Sequence, residues 1–360
     1  MSSRVPIYAV IMAGGVGSRF WPVSTEDNPK QFLDLTGSGK SLLRQTFERL
    51  SRLMPADRIL VVTNKRYIDK VGQHLPELPA ENILAEPVMR NTAPAILLAA
   101  GTIHARHPEA VMTVAPSDHF IGDENRFTAD MKAAMDYAAT HDDLITLGIR
   151  PDSPHTGYGY IQYDPADASP FKKVLRFTEK PQREQAEKFL QEGNYLWNAG
   201  IFVWRVPVIR EAFRQCLPET FRQLEKIDFR DENLQAQIDA VFPGAENISV
   251  DYGIMEKASN VKVLPVDFGW NDLGSWDALY KQLRRLSDEN IVINGTLLVA
   301  DASGNLIYNA RPKTVIIDGL KDHLIVNDEG HLMIIPLDHA QDVKQWRQKV
   351  TESAKKKQEE

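Results

Sequence analysis

Three glycines, Gly14, Gly15 and Gly17, run into Arg19, and Lys30 follows soon after. Glycine lets the main chain approach a ligand closely and take positive φ without a Cβ clash. Successive N–H groups after a strand form an anion-binding concavity. With two cations added, the loop suits a polyphosphate. Carboxylates come later. Asp118 ends Ala115-Pro116-Ser117-Asp118, just past an apolar run, where an oxygen ligand is well placed for Mg²⁺. His119 has no partner histidine at metal-ligand spacing and reads as a hydrogen-bonded loop residue. Asp272 precedes Gly274 and Ser275 and equally suits a helix N-cap. Glu179 can accept from sugar hydroxyls and Lys180 can neutralise a phosphate, although an exposed Glu–Lys pair alone is worth little. Asn198 can donate to and accept from a hydroxyl. Gly157-Tyr158-Gly159-Tyr160 is a close-approach loop beside two aromatics that equally suit a core.

Two familiar phosphate motifs fit poorly. A dinucleotide fingerprint continuing from Gly15 and Gly17 needs a third glycine where Phe20 stands, and Pro22 disfavours a helix opening there. Gly37-Ser38-Gly39-Lys40-Ser41 imitates a P-loop, but the glycine required five residues before Gly39 is Asp34. A carboxylate there would face the phosphates it should hold. This segment reads instead as a turn into a helix near Leu42–Leu53.

The combination of Gly14-Gly15-x-Gly17-x-Arg19 with Pro29-Lys30-Gln31-Phe32 resembles the sugar-nucleotidyltransferase family. Its Arg19-Phe20-Trp21-Pro22 and Pro-Lys-Gln-Phe variants are similar to the mannose 1-phosphate guanylyltransferases within it, and the length to their monofunctional form. The resemblance runs from about Tyr8 to Leu337, with no clear departure at a motif position. It implies the catalytic residues Arg19, Lys30, Asp118 and Asp272, the two aspartates bracketing one Mg²⁺ or another divalent cation. On the nucleotide side it implies Ala13, Gly14, Gly15, Gly17, Ser18, Arg19 and Lys30. Glu86, Arg90, Asn91, Thr92, Ser117 and Asp118 complete that set, and Asn91 and Thr92 before Pro94 are also a helix-start signal. On the sugar-phosphate side it implies Gly157, Tyr158, Gly159, Glu179, Lys180, Asn198, Asp251 and Asp272, with Asp251 equally suited to an N-cap. The implied substrates are GTP and mannose 1-phosphate, giving GDP-mannose and pyrophosphate. Guanine rather than adenine comes from the resemblance alone. Another hexose 1-phosphate and nucleotide pair is the nearest alternative. A non-catalytic nucleotide-sugar sensor is the other, though a sensor has no need of the full metal and leaving-group set.

These residues need a scaffold. Apolar runs at Ile7–Met12, Arg58–Thr63, Val111–Ala115, Leu144–Leu147, Lys173–Thr178 and Gly200–Trp204 read as strands. Helices are expected near Leu42–Leu53, Pro94–Arg106, Arg126–His141, Arg183–Glu192 and Val208–Leu217. The alternation predicts an α/β fold, a Rossmann-like, mostly parallel sheet flanked by helices, with ligands beyond the carboxyl ends of the strands. From about Asn290 the pattern becomes short β segments (Ile291–Ile293, Thr296–Val299, Leu306–Asn309, Thr314–Ile317, His323–Asn327, His331–Ile335) separated by Asn294-Gly295, Ser303-Gly304, Asp318-Gly319 and Glu329-Gly330. They predict a small C-terminal β domain, left-handed β-helix-like. The expected division is a catalytic domain at 1–289, the β domain at 290–340 and a charged helix and tail at 341–360.

The chain has 360 residues and a net charge of −7, so no global basic field recruits nucleic acid and any anion must be held by a local site. With one cysteine, Cys216, no intrachain disulfide can form, and that residue reads as a core side chain. No signal-peptide pattern or membrane-length apolar run is present, so the expectation is a cytoplasmic protein with no membrane partner. A homodimer through the C-terminal β domain is the one protein partner considered.

Overall fold

The computed structural model describes residues 5–15, 17–284 and 290–359. The chain packs as two compact units. The first comprises Met1–Gly14, Thr46–Ser117 and Ile121–Trp270; the second comprises Gly15–Gln45, Asp118–Phe120 and Asn271–Glu360.

The strands of the first part of the chain are β1 (Ile7–Ala13), β2 (Ile59–Asn64), β3 (Ile83–Glu86), β4 (Val111–Pro116), β5 (Phe120–Ile121), β6 (Leu144–Ile149), β7 (Tyr160–Tyr163), β8 (Lys172–Thr178), β9 (Tyr195–Arg205), β10 (Val261–Val266) and β11 (Trp270–Asn271). The first unit is built on a sheet of order β3-β2-β1-β4-β9-β6-β10-β8-β7. The β3-β2-β1-β4 half is parallel throughout, because a helix follows each strand and returns the chain to the same edge. The expectation of a mostly parallel sheet holds only in part beyond β4, where β10 runs parallel to β6 but the other pairings are antiparallel. There β9 runs antiparallel to both β4 and β6, and β7 and β8 form an antiparallel pair. The reason is the hairpin: β7 and β8 turn back without a helix, so β9 re-enters the sheet reversed. The result is a mixed α/β sheet.

The helix Thr92–Arg106 is buried from Ala93 to Ile103, as its continuous run of Ala, Ile and Leu demands. It packs among Val10, Leu60 and Trp204 in the core of this unit. Helices at Leu42–Ser51, Glu124–Ala138, Arg183–Glu192 and Val206–Cys216 lie within a few residues of expectation. Cys216 is half-buried. Among the described residues no helix is long and apolar enough to cross a membrane.

The second unit carries β12 (Ile291–Ala300), β13 (Leu306–Asp318), β14 (His323–Asn327) and β15 (Leu332–Pro336) in one sheet, in that order. β12, β13 and β14 are mutually parallel and β15 closes antiparallel on β14. Two expected interruptions are absent, since β12 and β13 each run through. Asn294-Gly295 makes a register shift rather than a turn. Asn294 has φ 56°, and a Cβ on Gly295 would lie 2.4 Å from the Lys313 carbonyl oxygen. The bend is thus absorbed as a bulge. Asparagines stitch successive strands: Asn305 Nδ2 donates to Asn290 Oδ1 at 2.7 Å, and Asn309 Nδ2 donates to the Asn294 carbonyl at 3.2 Å. Leu306, Tyr308, Leu324 and Val326 share a core with Phe20, Leu33, Leu35 and Trp276. The helix Val343–Glu359 follows, at the place expected for the charged helix.

Candidate active site

Within the second unit, the loop after the glycines is anchored by Phe20. Its ring meets Trp276 edge-on at 4.9 Å between centroids, and the Trp276 indole N–H donates to the Trp21 carbonyl at 3.2 Å. Gly17 has φ +65°, and a Cβ there would sit 2.3 Å from Lys30 Cβ. Only glycine lets the loop lie on the lysine. Lys30 is 4% exposed. Its Nζ donates to Asp118 Oδ2 at 2.9 Å and to the Asp272 backbone carbonyl at 2.7 Å. One ammonium therefore joins the segments that carry both predicted carboxylates. Burial would raise the Asp118 carboxyl, but the charge of Lys30, the nearby His119 and the Lys30 hydrogen bond outweigh it and hold Asp118 below the usual carboxylate range.

Asp272 does not cap a helix, since the helix begins at Trp276. Its Oδ1 instead accepts from the Gly274 N–H at 3.1 Å in a tight turn, with Leu273 at φ 45°. A Cβ on Gly274 would lie 2.9 Å from Asp272 Oδ2 and 3.4 Å from an Arg19 guanidinium nitrogen. Arg19 is exposed and reaches the Gly274 carbonyl at 3.4 Å. All four predicted catalytic residues thus belong to one unit. The P-loop imitation in this unit is a turn wrapped on Asp34, whose carboxylate accepts from the N–H groups of Thr36, Ser38 and Gly39. That arrangement leaves Asp34 nothing to do with phosphate.

Within the first unit, Ala13, Gly14 and Ser117 sit where β1 and β4 end. Thr63 donates to the Ala13 carbonyl at 2.9 Å, and the Ser117 N–H donates to the Met12 carbonyl at 3.1 Å. Glu86 ends β3 and is 5% exposed. Among the described residues its Oε1 has no hydrogen-bond partner, and a Cβ on Gly14 would come 3.7 Å from its Oε2. Burial pushes its carboxyl up to about 8. The neighbouring predicted residues are engaged in shaping a helix start. Asn91, at φ 64°, accepts from the Thr92 N–H, and Thr92 Oγ1 accepts from the Val250 N–H at 2.9 Å. The Arg90 guanidinium donates twice to the Pro243 carbonyl, at 3.1 and 2.6 Å.

A second cluster in the same unit gathers Gly159, Glu179, Lys180, Asn198 and Asp251. The Asn198 N–H donates to the Gly159 carbonyl at 2.8 Å, and a Cβ on Gly159 would lie 2.4 Å from Glu179 Oε2. Lys180, at φ 47°, pairs its Nζ with Glu179 Oε1 at 3.0 Å. Asn198 Nδ2 donates to Asp251 Oδ1 at 2.8 Å. Asp251 opens a single π-helical turn, Asp251–Met255. Burial and the nearby Glu179 push its carboxyl up to about 7 against the pull of its own backbone, Asn198 and Lys180. The two tyrosines divide. Tyr160 is fully buried core, whereas Tyr158 stacks on His155 at 3.8 Å and meets Trp197 and Trp270 edge-on, making an aromatic wall after Gly157. Glu256, on the same Asp251–Lys257 segment that resembles the family's sugar side, joins the cluster, its Oε1 accepting from the Glu179 N–H at 3.1 Å.

A parallel-sheet strand that runs into a glycine-rich loop places the chain among the α/β proteins. Residues 8–289 match the nucleotidyl transferase family, and the chain belongs to it. The chain is 35% identical over 356 residues to mannose-1-phosphate guanylyltransferase 2 of Escherichia coli O157:H7, spanning 95% of this chain and 73% of that one. It is 36% identical over 350 residues to mannose-1-phosphate guanylyltransferase of Escherichia coli K12, spanning 94% and 72%. Among solved structures it is similar to one titled mannose-1-phosphate geranyltransferase from Thermus thermophilus, with a TM-score of 0.87 and 31% identity over 96% of this chain and 100% of that one.

Proposed function

We propose that this protein is a mannose-1-phosphate guanylyltransferase, making GDP-mannose and pyrophosphate from mannose 1-phosphate and GTP. The observation that carries the reading is Lys30, a buried ammonium bonded to the Asp118 carboxylate and the Asp272 main chain, in a chain similar to guanylyltransferases over nearly its whole length.

A phosphate oxygen of the sugar phosphate attacks the α-phosphorus of GTP. The new P–O bond forms as the bond to the β-phosphate oxygen breaks, and that electron pair leaves with pyrophosphate. The attacking oxygen is already ionised at neutral pH, so no protein nucleophile or base is required. The obstacle is repulsion between two anions. Lys30 and Arg19 oppose it by stabilising charge on the α-phosphoryl oxygens and the leaving group. Two oxygen-donor carboxylates suit a hard divalent cation whose remaining ligands come from phosphate and water, and among the described residues no group of three or more acidic, His or Cys ligands competes for it. Asp118 and Asp272 would hold that ion, which when bound supplies Lewis-acid screening of phosphate charge. Lys180 holds the sugar phosphate. Glu86, as carboxylate, offers two adjacent acceptors to the paired N–H donors on guanine's Watson–Crick edge.

For the C-terminal strands, the asparagine stitching supports coils of a β-helix, and the exposed Leu298, Ile316 and Leu332 support a homodimer through that region, to be checked by light scattering. The experiment for the reaction is pyrophosphate release with Mg²⁺, testing GTP, ATP, UTP and dTTP against mannose 1-phosphate and glucose 1-phosphate. Release with GTP and mannose 1-phosphate alone is expected. Another productive pair would reassign the substrates, and no release with any pair would leave a sensor as the better reading.

A further inference from the structure

Thr146 is fully buried in β6, on an otherwise apolar run, Leu144-Ile145-Thr146-Leu147. Valine would fill the same space without a hydroxyl to satisfy. Two other buried threonines of this sheet, Thr63 and Thr113, give their hydroxyls to main-chain carbonyls, at 2.9 and 3.1 Å. Thr146 differs. Its closer contact, 3.0 Å, is to Asn198 Oδ1, while the Ile201 carbonyl lies at 3.5 Å.

The backbone makes this contact possible. Thr146 pairs with Phe202 and Gly148 with Asn198, so Leu147 alone stands opposite Ala199, Gly200 and Ile201. The bulge, with Gly200 at φ +68°, turns the Asn198 side chain back toward β6. It also settles which way the amide faces. The Gly200 N–H, which can only donate, lies 3.1 Å from Asn198 Oδ1, so the oxygen must be on that side. With Gly200 and Thr146 both donating to it, the oxygen has no lone pair left. Nδ2 gives one hydrogen to Asp251, and among the described residues its second hydrogen has no partner.

We infer that Thr146 is a positioning residue for sugar-phosphate recognition: its hydroxyl and the Gly200 N–H lock Asn198 as a donor-only group, leaving one N–H for a substrate oxygen and Asp251 as the adjacent acceptor. The inference rests on the proposed assignment of Asn198 and Asp251 to the sugar-phosphate site. Without the Thr146 hydroxyl, the amide oxygen regains a lone pair and the side chain is held by fewer bonds. The sugar then meets an adaptable group in place of a fixed donor.

The test is steady-state kinetics of Thr146→Val and Thr146→Ser, varying mannose 1-phosphate and GTP separately. Loss of one orienting hydrogen bond is expected to raise KM for the sugar phosphate in Thr146→Val by roughly 2- to 13-fold. KM for GTP should not move, and Thr146→Ser should restore the sugar phosphate value. In an Asn198→Ala background, Thr146→Val should add nothing. An unchanged KM in Thr146→Val, equal effects on both substrates, or an effect that persists in Asn198→Ala would each overturn the inference. If Thr146→Val does not fold, Thr146→Ala against Thr146→Ser is read the same way. Wild-type turnover separates the two levels of argument. If another hexose 1-phosphate is the substrate, the experiment is run with it. If none is turned over, the site assignment falls first and the role of Thr146 with it.

Discussion

Replacing Glu86 by glutamine removes a titrating group from the buried end of β3 while keeping the side chain's size. In the wild type, burial raises the carboxyl from 4.5 to about 8, so the folded protein holds this proton at neutral pH while the unfolded chain has lost it. The sign follows directly. The folded state bears no penalty from Glu86 below pH 4.5, loses stability as pH rises toward 8, and levels off above it. At pH 7 the loss is at most about 3 kcal/mol, from 1.36 kcal/mol per pH unit. Glu86→Gln should therefore match the wild type near pH 4 and exceed it at pH 7, in urea unfolding followed by tryptophan fluorescence. Binding runs the other way. Only the carboxylate presents two acceptors, so pairing with guanine requires the proton to leave. Below pH 8 the wild-type KM for GTP should worsen by up to about tenfold per pH unit. Any slope shared by Glu86→Gln belongs to the phosphates of GTP itself. Glutamine, with one acceptor and one donor, should also narrow the preference for GTP over UTP. If wild type and Glu86→Gln have parallel pH profiles for GTP, Glu86 does not read the base. If their stabilities stay equal from pH 4 to pH 8, its burial is not what the fold implies.

Asp272→Asn keeps the turn at Gly274 but removes a negative ligand, and should lower turnover by on the order of 100-fold or more; activity that is unchanged across a Mg²⁺ titration would remove it from the metal site. Lys180→Ala should raise KM for mannose 1-phosphate by roughly 13- to 160-fold, the scale of a charge-assisted hydrogen bond, with little change for GTP, and equal losses for both substrates would show the sides misassigned. Lys40→Ala should leave pyrophosphate release near wild type, since its loop is organised by Asp34; a large loss would revive the P-loop reading.

The parts legible in the sequence are those where only one residue type serves. Gly17 must be glycine because Lys30 lies against it, and the glycine-rich loop stood out before any fold was known. The parallel half of the sheet followed from its strand–helix alternation. The mixed half did not, because strand direction depends on whether a hairpin or a helix makes the return, and Asp164-Pro165 and Ser169-Pro170 between β7 and β8 mark a turn without saying which. Asn294-Gly295 misled in the opposite sense, since the same left-handed preference that makes a hairpin turn also makes a bulge. Thr146 was invisible for a different reason. Threonine is an ordinary strand residue, and nothing local distinguishes a hydroxyl that satisfies a carbonyl from one that orients an amide on another strand.

The carboxylates sort by the kind of partner they suit. Asp118 is held below its ordinary range by an ammonium, so it stays charged, as the proposed balance of polyphosphate and cation requires. Glu86 and Asp251 are instead pushed up by burial, to about 8 and about 7. Neither position is strongly anionic before a ligand arrives, which matters because both substrates carry negative charge and a fixed carboxylate would repel them. Each can lose its proton once a neutral donor, a base N–H or a sugar hydroxyl, offers a hydrogen bond to the ionised form. Under the proposed function, a lysine controls charge where phosphate is handled, and burial withholds charge where neutral groups are read. On that reading the glycine loop is dense in motif residues, while the proposed recognition residues are scattered carboxylates and amides whose meaning depends on what covers them.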